Sequence, residues 1–329
     1  MSYLAVDIGA TNVRVAVGDE KGLGSRLGEQ TDRLHGPEGV TAQIIRMARS
    51  LGVEPDAVGV GSIGPLDLRR GYITNTPNYP FKDIPVVEPL LEEFSVPVWL
   101  MNDCNAAVLG EQVYGAGRGV GNLFYVTFST GLGGGAIVDG HLLNGKDGNA
   151  PEIGHVTINP DSELMCGCGC RGHWEAYCSG ANIPNLARLI LRGKALEGSL
   201  LYEVFGTDLS KLTSEMIFSA ASKGDSLASE IVGEVGRVNA VGFGDIVNVF
   251  DPELITVGGS ITLNNPELVL GPIIDGIDRH IINRKPEIKI TPLGNDVVLY
   301  GGLALAVRAK KSVSIPTIIP GPGLIAGPP

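Results

Sequence analysis

An α/β fold of two domains is predicted for this chain by three observations. Its 329 residues exceed what a single core usually serves, about 100–200 residues per domain. Strand patterns alternate with helix patterns behind an opening hairpin. That hairpin returns in weaker form in mid-chain, as it would in a protein of two similar halves.

The elements follow in order. LAVDIG, ATN and VRVAV, from 4 to 17, read as strand, turn and strand, with a stop at Gly18-Asp19. A helix is predicted over 39–51, then an apolar run AVGVGSIGP, a Pro-rich loop over 75–85, a helix over 86–94 and a short strand VPVWLM. LFYVTF, STGLGGG and AIVDG form the second hairpin, with its own stop at Asp139-Gly140. The second half is more helical: 182–192, 213–223 and 226–249 precede a strand LITVGGS, a helix near 269–282, a last strand and a closing helix over 301–311. The tail, 312–329, is too dense in Pro and Gly for regular structure, although Ile315, Ile318 and Ile319 could dock on a surface; no chemistry is assigned to it.

Composition narrows the function classes. Hydrophobic residues at 43% suffice for packed cores, so the 47 glycines are read as tight turns within folded structure. A formal charge of -11 repels nucleic-acid backbones and anionic lipid surfaces, so neither is an expected partner. With no basic leader and no run of 18 uncharged apolar residues, a cytoplasmic location is expected.

Glycine-rich turns carry the first chemical signal. Asp7 ends a strand, Gly9 and Ala10 keep the turn narrow, and Thr11 and Asn12 add a hydroxyl and an amide. Such a turn brings backbone N–H groups to an anion, and a carboxylate beside it can hold Mg2+ through water; an ordinary hairpin turn uses the same residues. The second turn, Thr130 to Ala136, formally satisfies the G-x-G-x-x-G/A dinucleotide pattern, with Glu152 about 20 residues on. That fingerprint needs a helix directly after the glycines, and AIVDG reads as a strand, so a second phosphate-facing hairpin is predicted instead. Gly258-Gly259 after a strand offers flat backbone for a nucleoside, or a plain strand-to-helix turn.

Asn102-Asp103 closes a strand at the end where open α/β sheets present ligands. Asp103 there can take a proton from a hydroxyl, or can cap the helix that follows. Asn78 lies in the loop TPNYPFKD, and a turn role is equally natural for it. The densest stretch runs from Glu152 to Glu175, where His155, Cys166, Cys168, Cys170 and His173 supply five soft or borderline ligands. A structural zinc, disulfides among Cys166, Cys168, Cys170 and Cys178, and free thiols are the three readings; Cys104 reads as buried.

DIGATN, IGPLD, NDCNAA, STGLGGG, APEIGH, CGCGCRGHWEAYCSG and VGGS stand in the order found in ROK sugar kinases (repressor, open reading frame, kinase), which the chain resembles from 4 to about 309. The resemblance implies an actin-like ATPase (ribonuclease H-like) fold: a small α/β domain of 1–105 plus 299–311, a large one of 106–298 with a Cys-rich loop at 155–178, and a cleft between them. It also implies ATP-dependent phosphorylation of a hexose 6-hydroxyl, glucose first, with Asp103 as general base. Gly64, Asn78, Asn102, Glu152, His155 and Glu175 would hold the sugar. ATP and Mg2+ would meet Asp7, Gly9, Thr11, Asn12, Thr130, Gly131, Gly133, Gly258 and Gly259. Glu152 and Asn78 on opposite domains, with water to be kept from the phosphoryl path, imply closure on the sugar. Zinc would fall to His155, Cys166, Cys168 and His173.

Two departures from the family pattern stand out. His173 occupies the third zinc cysteine's place, with Cys170 added inside the loop, and Pro151 replaces a Gly before Glu152. A DNA-binding segment has no room before Asp7, so a kinase is expected rather than a repressor. A kinase for N-acetylmannosamine or fructose and a noncatalytic sugar sensor are the alternatives. Oligomeric state is left open, a homodimer included.

Overall fold

A computed structural model of the chain describes residues 1–76, 79–206 and 208–310. Asn78 and the tail 312–329 lie outside the described residues. The strands are β1 (Tyr3–Ile8), β2 (Asn12–Asp19), β3 (Gly22–Gln30), β4 (Ala57–Ser62), β5 (Leu66–Asp67), β6 (Tyr72–Ile73), β7 (Ile84–Pro85), β8 (Val98–Asn102), β9 (Leu123–Phe128), β10 (Leu132–Val138), β11 (His141–Leu142), β12 (Leu254–Gly258) and β13 (Glu287–Ile290). The helices are α1 (Gly39–Ser50), α2 (Val87–Phe94), α3 (Asp103–Tyr114), α4 (Glu175–Cys178), α5 (Ile183–Ile190), α6 (Leu200–Phe205), α7 (Ser214–Ser222), α8 (Ser226–Phe250), α9 (Ser260–Asn264), α10 (Pro266–Gly276) and α11 (Val297–Lys310). Among the described residues no helix is long and apolar enough to cross a membrane.

Two compact units result, one of residues 1–119, 135–151 and 296–310, the other of 120–134 and 152–295. The boundary expected at 105/106 falls inside α3, which lies whole in the first unit. Its sheet has the order β3-β2-β1-β4-β8, with β1, β4 and β8 parallel and the β1-β2-β3 meander antiparallel. All six residues of β1 are buried because the sheet is covered on both faces. Leu4, Val6 and Ile8 point to the side of α1 and α2; Tyr3 and Ala5 point to the side of α3 and α11, as the two-residue period requires.

On the second side the helices come close because glycine permits it. A Cβ at Gly301 would stand 1.9 Å from the Ala106 carbonyl oxygen, and one at Gly59 would stand 2.0 Å from that of Gly302. Gly301→Ala is therefore expected to destabilise the protein by about 3 kcal/mol through overpacking between α11 and α3, read as a lowered urea midpoint with unchanged slope.

The other five-stranded sheet has the order β11-β10-β9-β12-β13, with β9, β12 and β13 parallel. In the second unit α8 is the central helix, and it packs on a fully buried Trp174 that meets Phe128 and Phe243 edge-on. Trp174 Nε1 donates to Asn239 Oδ1 at 2.9 Å, satisfying both groups in the interior.

The elements depart from expectation in a few places. β3 continues past the stop read at Gly18-Asp19; it is a mostly exposed edge strand with no apolar period to betray it. The helix expected over 269–282 starts at Pro266, where proline suits the first turn, and gives way to a 3-10 turn at Ile277–Arg279. The closing helix begins at Val297 rather than at 301. Gly259 has φ +86 and leads into α9, so a strand-to-helix turn stands at this glycine pair.

Candidate active site

In the first unit the parallel strands end on one edge. Ile8 of β1 is level with Ser62 of β4, and Ser62 with Asn102 of β8, so Asp7, Gly64 and Asn102-Asp103 lie along that edge. The turn between β1 and β2 is closed by Gly9 N–H donating to the Asn12 carbonyl at 2.9 Å, and a Cβ on Gly9 would strike the same oxygen. Thr11 and Asn12 are exposed at its tip. Thr31 braces the turn from behind: its hydroxyl donates to Gly9 O at 2.7 Å, and its N–H donates to Thr11 O at 3.0 Å. Asp7 is buried and ion-paired with Arg14, its antiparallel partner on β2. Burial lifts its carboxyl above the ordinary range, against the pull of Arg14.

The capping question at α3 resolves in favour of Asn102. Its Oδ1 accepts from the N–H groups of Cys104 at 2.9 Å and Asn105 at 3.2 Å. Asp103 is then the first helical residue, half-buried, with Oδ1 accepting from Cys104 N–H at 2.8 Å. A carboxylate in the first turn of a helix is favoured in its charged form by the helix dipole. A Cβ on Gly64 would meet Asn102 Nδ2 at 3.5 Å and Asn149 Oδ1 at 3.6 Å, so these three groups share one corner.

Two residues that sequence reasoning missed hold this corner. Asn149 clamps Leu66 by accepting its N–H at 2.8 Å and donating to its carbonyl at 3.0 Å. Asn105 Nδ2 donates to Ala150 O at 2.7 Å, two residues before Glu152. Nothing local marks Asn105 or Asn149, because each reaches a segment distant in sequence.

In the second unit β9 and β12 run side by side, Gly258 level with Thr127, so their two turns meet. Ser129 and Ser260 hydroxyls stand 3.4 Å apart, which brings Thr130, Gly131 and Gly133 near Gly258-Gly259. The formal dinucleotide pattern here runs into strand β10, not a helix. Gly180 and Ala181 N–H groups tie the turn down by donating to Ser129 and Thr130 carbonyls at 2.8 and 3.0 Å.

The Cys-rich segment folds back on itself so that His155, Cys166, Cys168 and His173 face one point, their donor atoms all within 4.8 Å of one another. His155 Nδ1 lies 3.3 Å from His173 Nδ1 and 3.5 Å from Cys166 Sγ; Cys168 Sγ lies 3.4 Å from His173 Nδ1. Zinc bonds of about 2.0–2.1 Å to nitrogen and 2.3 Å to sulfur set tetrahedral donors roughly 3.3–3.8 Å apart, so these three separations match a zinc shell, while the remaining pairs lie within 4.8 Å. Burial pushes the Cys166 thiol up to about 12, and burial with His155 nearby holds His173 below the usual imidazole range.

All five cysteines are free thiols, which corrects the disulfide reading: Cys178 is buried with Sγ toward Val235 O at 3.6 Å, while Cys166 faces the histidines. Cys170 is exposed and outside the four.

Trp174, anchored in the core, fixes His173 and Glu175 on either side of it. Glu175 bridges two features: Oε1 accepts from Cys166 Sγ at 3.3 Å, and Oε2 accepts from Leu132 N–H at 3.0 Å, just past the turn at Gly131. His155 presents its other nitrogen, Nε2, to Glu152 Oε2 at 3.9 Å. Glu152 is half exposed, yet lost solvent lifts its carboxyl above the ordinary range, opposed by His155 and aided by Glu175.

Two sheets with glycine turns at the ends of their parallel strands define the class, an actin-like ATPase fold. The ROK family model matches residues 3–308. The chain belongs to the ROK family. It is 40% identical over 312 residues to a glucokinase of Pyrobaculum calidifontis, covering 94% of this chain and 97% of that one. Among solved structures it is similar to a ROK family glucokinase from Streptomyces griseus in complex with glucose and AMPPNP, with TM-score 0.80, 31% identity and coverage of 94% and 100%. A ROK hexokinase from Thermus thermophilus matches with TM-score 0.79, 31% identity and coverage of 94% and 99%.

Proposed function

We propose that this chain is an ATP-dependent glucokinase that transfers the γ-phosphoryl group of ATP to the 6-hydroxyl of glucose. The observation that carries the residue-level reading is the position of Asp103: it opens α3 directly after the Asn102 cap, half-buried, on the sheet edge it shares with Asp7. Asp103 accepts the proton of the 6-hydroxyl as that oxygen attacks the γ-phosphorus in line. Gly64, Asn78, Asn102, Glu152, His155 and Glu175 orient the sugar. In this reading Asp7, Gly9, Thr11 and Asn12 contact the phosphates, as do Thr130, Gly131 and Gly133, and Gly258-Gly259 contact the nucleoside. Mg2+ supplies charge neutralisation on the phosphates, and Asp7 would hold it through water; the buried Asp7 carboxylate is the hard oxygen donor that such a cation takes.

His155, Cys166, Cys168 and His173 hold a structural zinc in this reading. Ligation through Nδ1 leaves the His155 Nε2 proton toward Glu152 and the sugar, so the metal sets the tautomer that meets the substrate. With His173 in place of a third cysteine the shell is S2N2, and the cobalt-substituted protein should show the d–d spectrum of that donor set.

Coupled detection of ADP across glucose, mannose, glucosamine, fructose and N-acetylmannosamine tests the assignment. Glucose is expected to give the highest kcat/KM; a tenfold preference for another sugar would reassign the substrate. Because Glu152 is held above the ordinary carboxyl range and accepts sugar hydroxyls as a carboxylate, glucose affinity should fall as pH drops through a value above 4.5. In the same experiment Glu152→Gln is expected to abolish that pH limb and to raise glucose KM at neutral pH.

A further inference from the structure

Four charged side chains from four different segments form a row behind the first phosphate turn. Asp7 on β1 receives Arg14 of β2 on one oxygen, Oδ2, from Nε at 2.9 Å and from Nη2. The same guanidinium reaches Asp296 with Nη1 at 3.6 Å, and Asp296 is held on its other oxygen by Arg26 of β3 at 3.0 Å. Asp296 closes the turn that leads into α11. Asp7 lies on the strand face that buries Tyr3 and Ala5 and is only 9% exposed, so its carboxylate cannot give up the guanidinium unless another cation takes over its charge. A buried charge that loses its partner is strongly unfavourable.

We propose that Asp296 is a positioning residue for the metal end of the site: it gives Arg14 a second carboxylate, so that Asp7 can release the guanidinium and turn to Mg2+. This rests on the reading of Asp7 as the residue that holds Mg2+ through water. The geometry has the asymmetry such an exchange needs. Arg14 sits firmly on Asp7 and loosely against Asp296, and Arg26 keeps the Asp296 carboxylate facing Arg14 without competing for the oxygen Arg14 would take. A purely structural ion pair would serve stability alone and would leave metal binding untouched.

Mn2+ binding, measured by electron paramagnetic resonance with AMPPNP bound, tests this alongside glucose binding by calorimetry and melting temperature. Asp7→Asn is expected to weaken Mn2+ binding at least tenfold. Asp296→Asn, isosteric and uncharged, is expected to weaken it about tenfold, the loss of one charge-assisted contact, while glucose binding stays within twofold. Asp296→Glu should restore most of the loss. If the Asn variant does not fold, Asp296→Ser reads the same loss of charge.

Unchanged Mn2+ affinity in a folded, uncharged Asp296 variant, with Asp7→Asn impaired, overturns this inference alone. Unchanged affinity in Asp7→Asn overturns the underlying reading of Asp7. Tighter Mn2+ binding in Asp296→Asn would also overturn the inference, because Asp296 would then hinder the metal.

Discussion

Asp103→Ala is expected to lower kcat with glucose by about a hundred- to ten-thousand-fold, the usual worth of a positioned base. Glucose binding should survive in part, because Asn102 keeps its cap on α3 and the sugar contacts proposed for Glu152 and His155 come from another segment. The split distinguishes chemistry from binding: a base that acts only in the transition state takes kcat and kcat/KM down together. A substitution that merely disturbed the helix start would show in the melting temperature and would be matched by Asn102→Ala, which removes the cap and costs about 1 kcal/mol of stability. Near-normal turnover by Asp103→Ala would remove the mechanism.

Metal removal is expected to have the second-largest effect. Only the folded segment gathers His155, Cys166, Cys168 and His173, so zinc present at a thousand times its dissociation constant would stabilise the fold by about 4 kcal/mol. Its loss should reach the sugar through His155, which would lose its fixed tautomer. Chelation is therefore expected to lower the melting temperature and raise glucose KM at least tenfold, with zinc content followed by mass spectrometry. Cys168→Ser should reproduce the change, whereas Cys170→Ser should not, because Cys170 stands outside the four donors. Protein isolated without zinc and with unaltered stability and KM would contradict the zinc reading.

How much of this was legible in the sequence depended on how local the physics was. The β1-β2 hairpin could be read because two runs rich in β-branched residues flank a short turn and end at Gly18-Asp19. The adjoining β3 could not, because its exposed edge carries no apolar period. Likewise the metal cluster was visible in EIGH and CGCGCRGHWE, since its donors lie within one short stretch. Which four of the five ligands converge was carried only by the resemblance, and it took coordinates to show their spacing. Asn102 and Asp103 could not be told apart as caps from their types alone: both residues cap helices well, and side-chain direction decides. The contacts of Asp296 with Arg14, of Asn149 with Leu66 and of Trp174 with Asn239 join distant segments through tertiary packing, so no pattern along the chain announces them.

Following ATP and glucose with this protein by phosphorus NMR tests the central assignment most directly. One product, glucose 6-phosphate, should grow in step with ADP and require Mg2+, while 6-deoxyglucose should bind without being phosphorylated. A phosphoryl group on any other oxygen, turnover of 6-deoxyglucose, or glucose bound without any phosphate ester formed would contradict it.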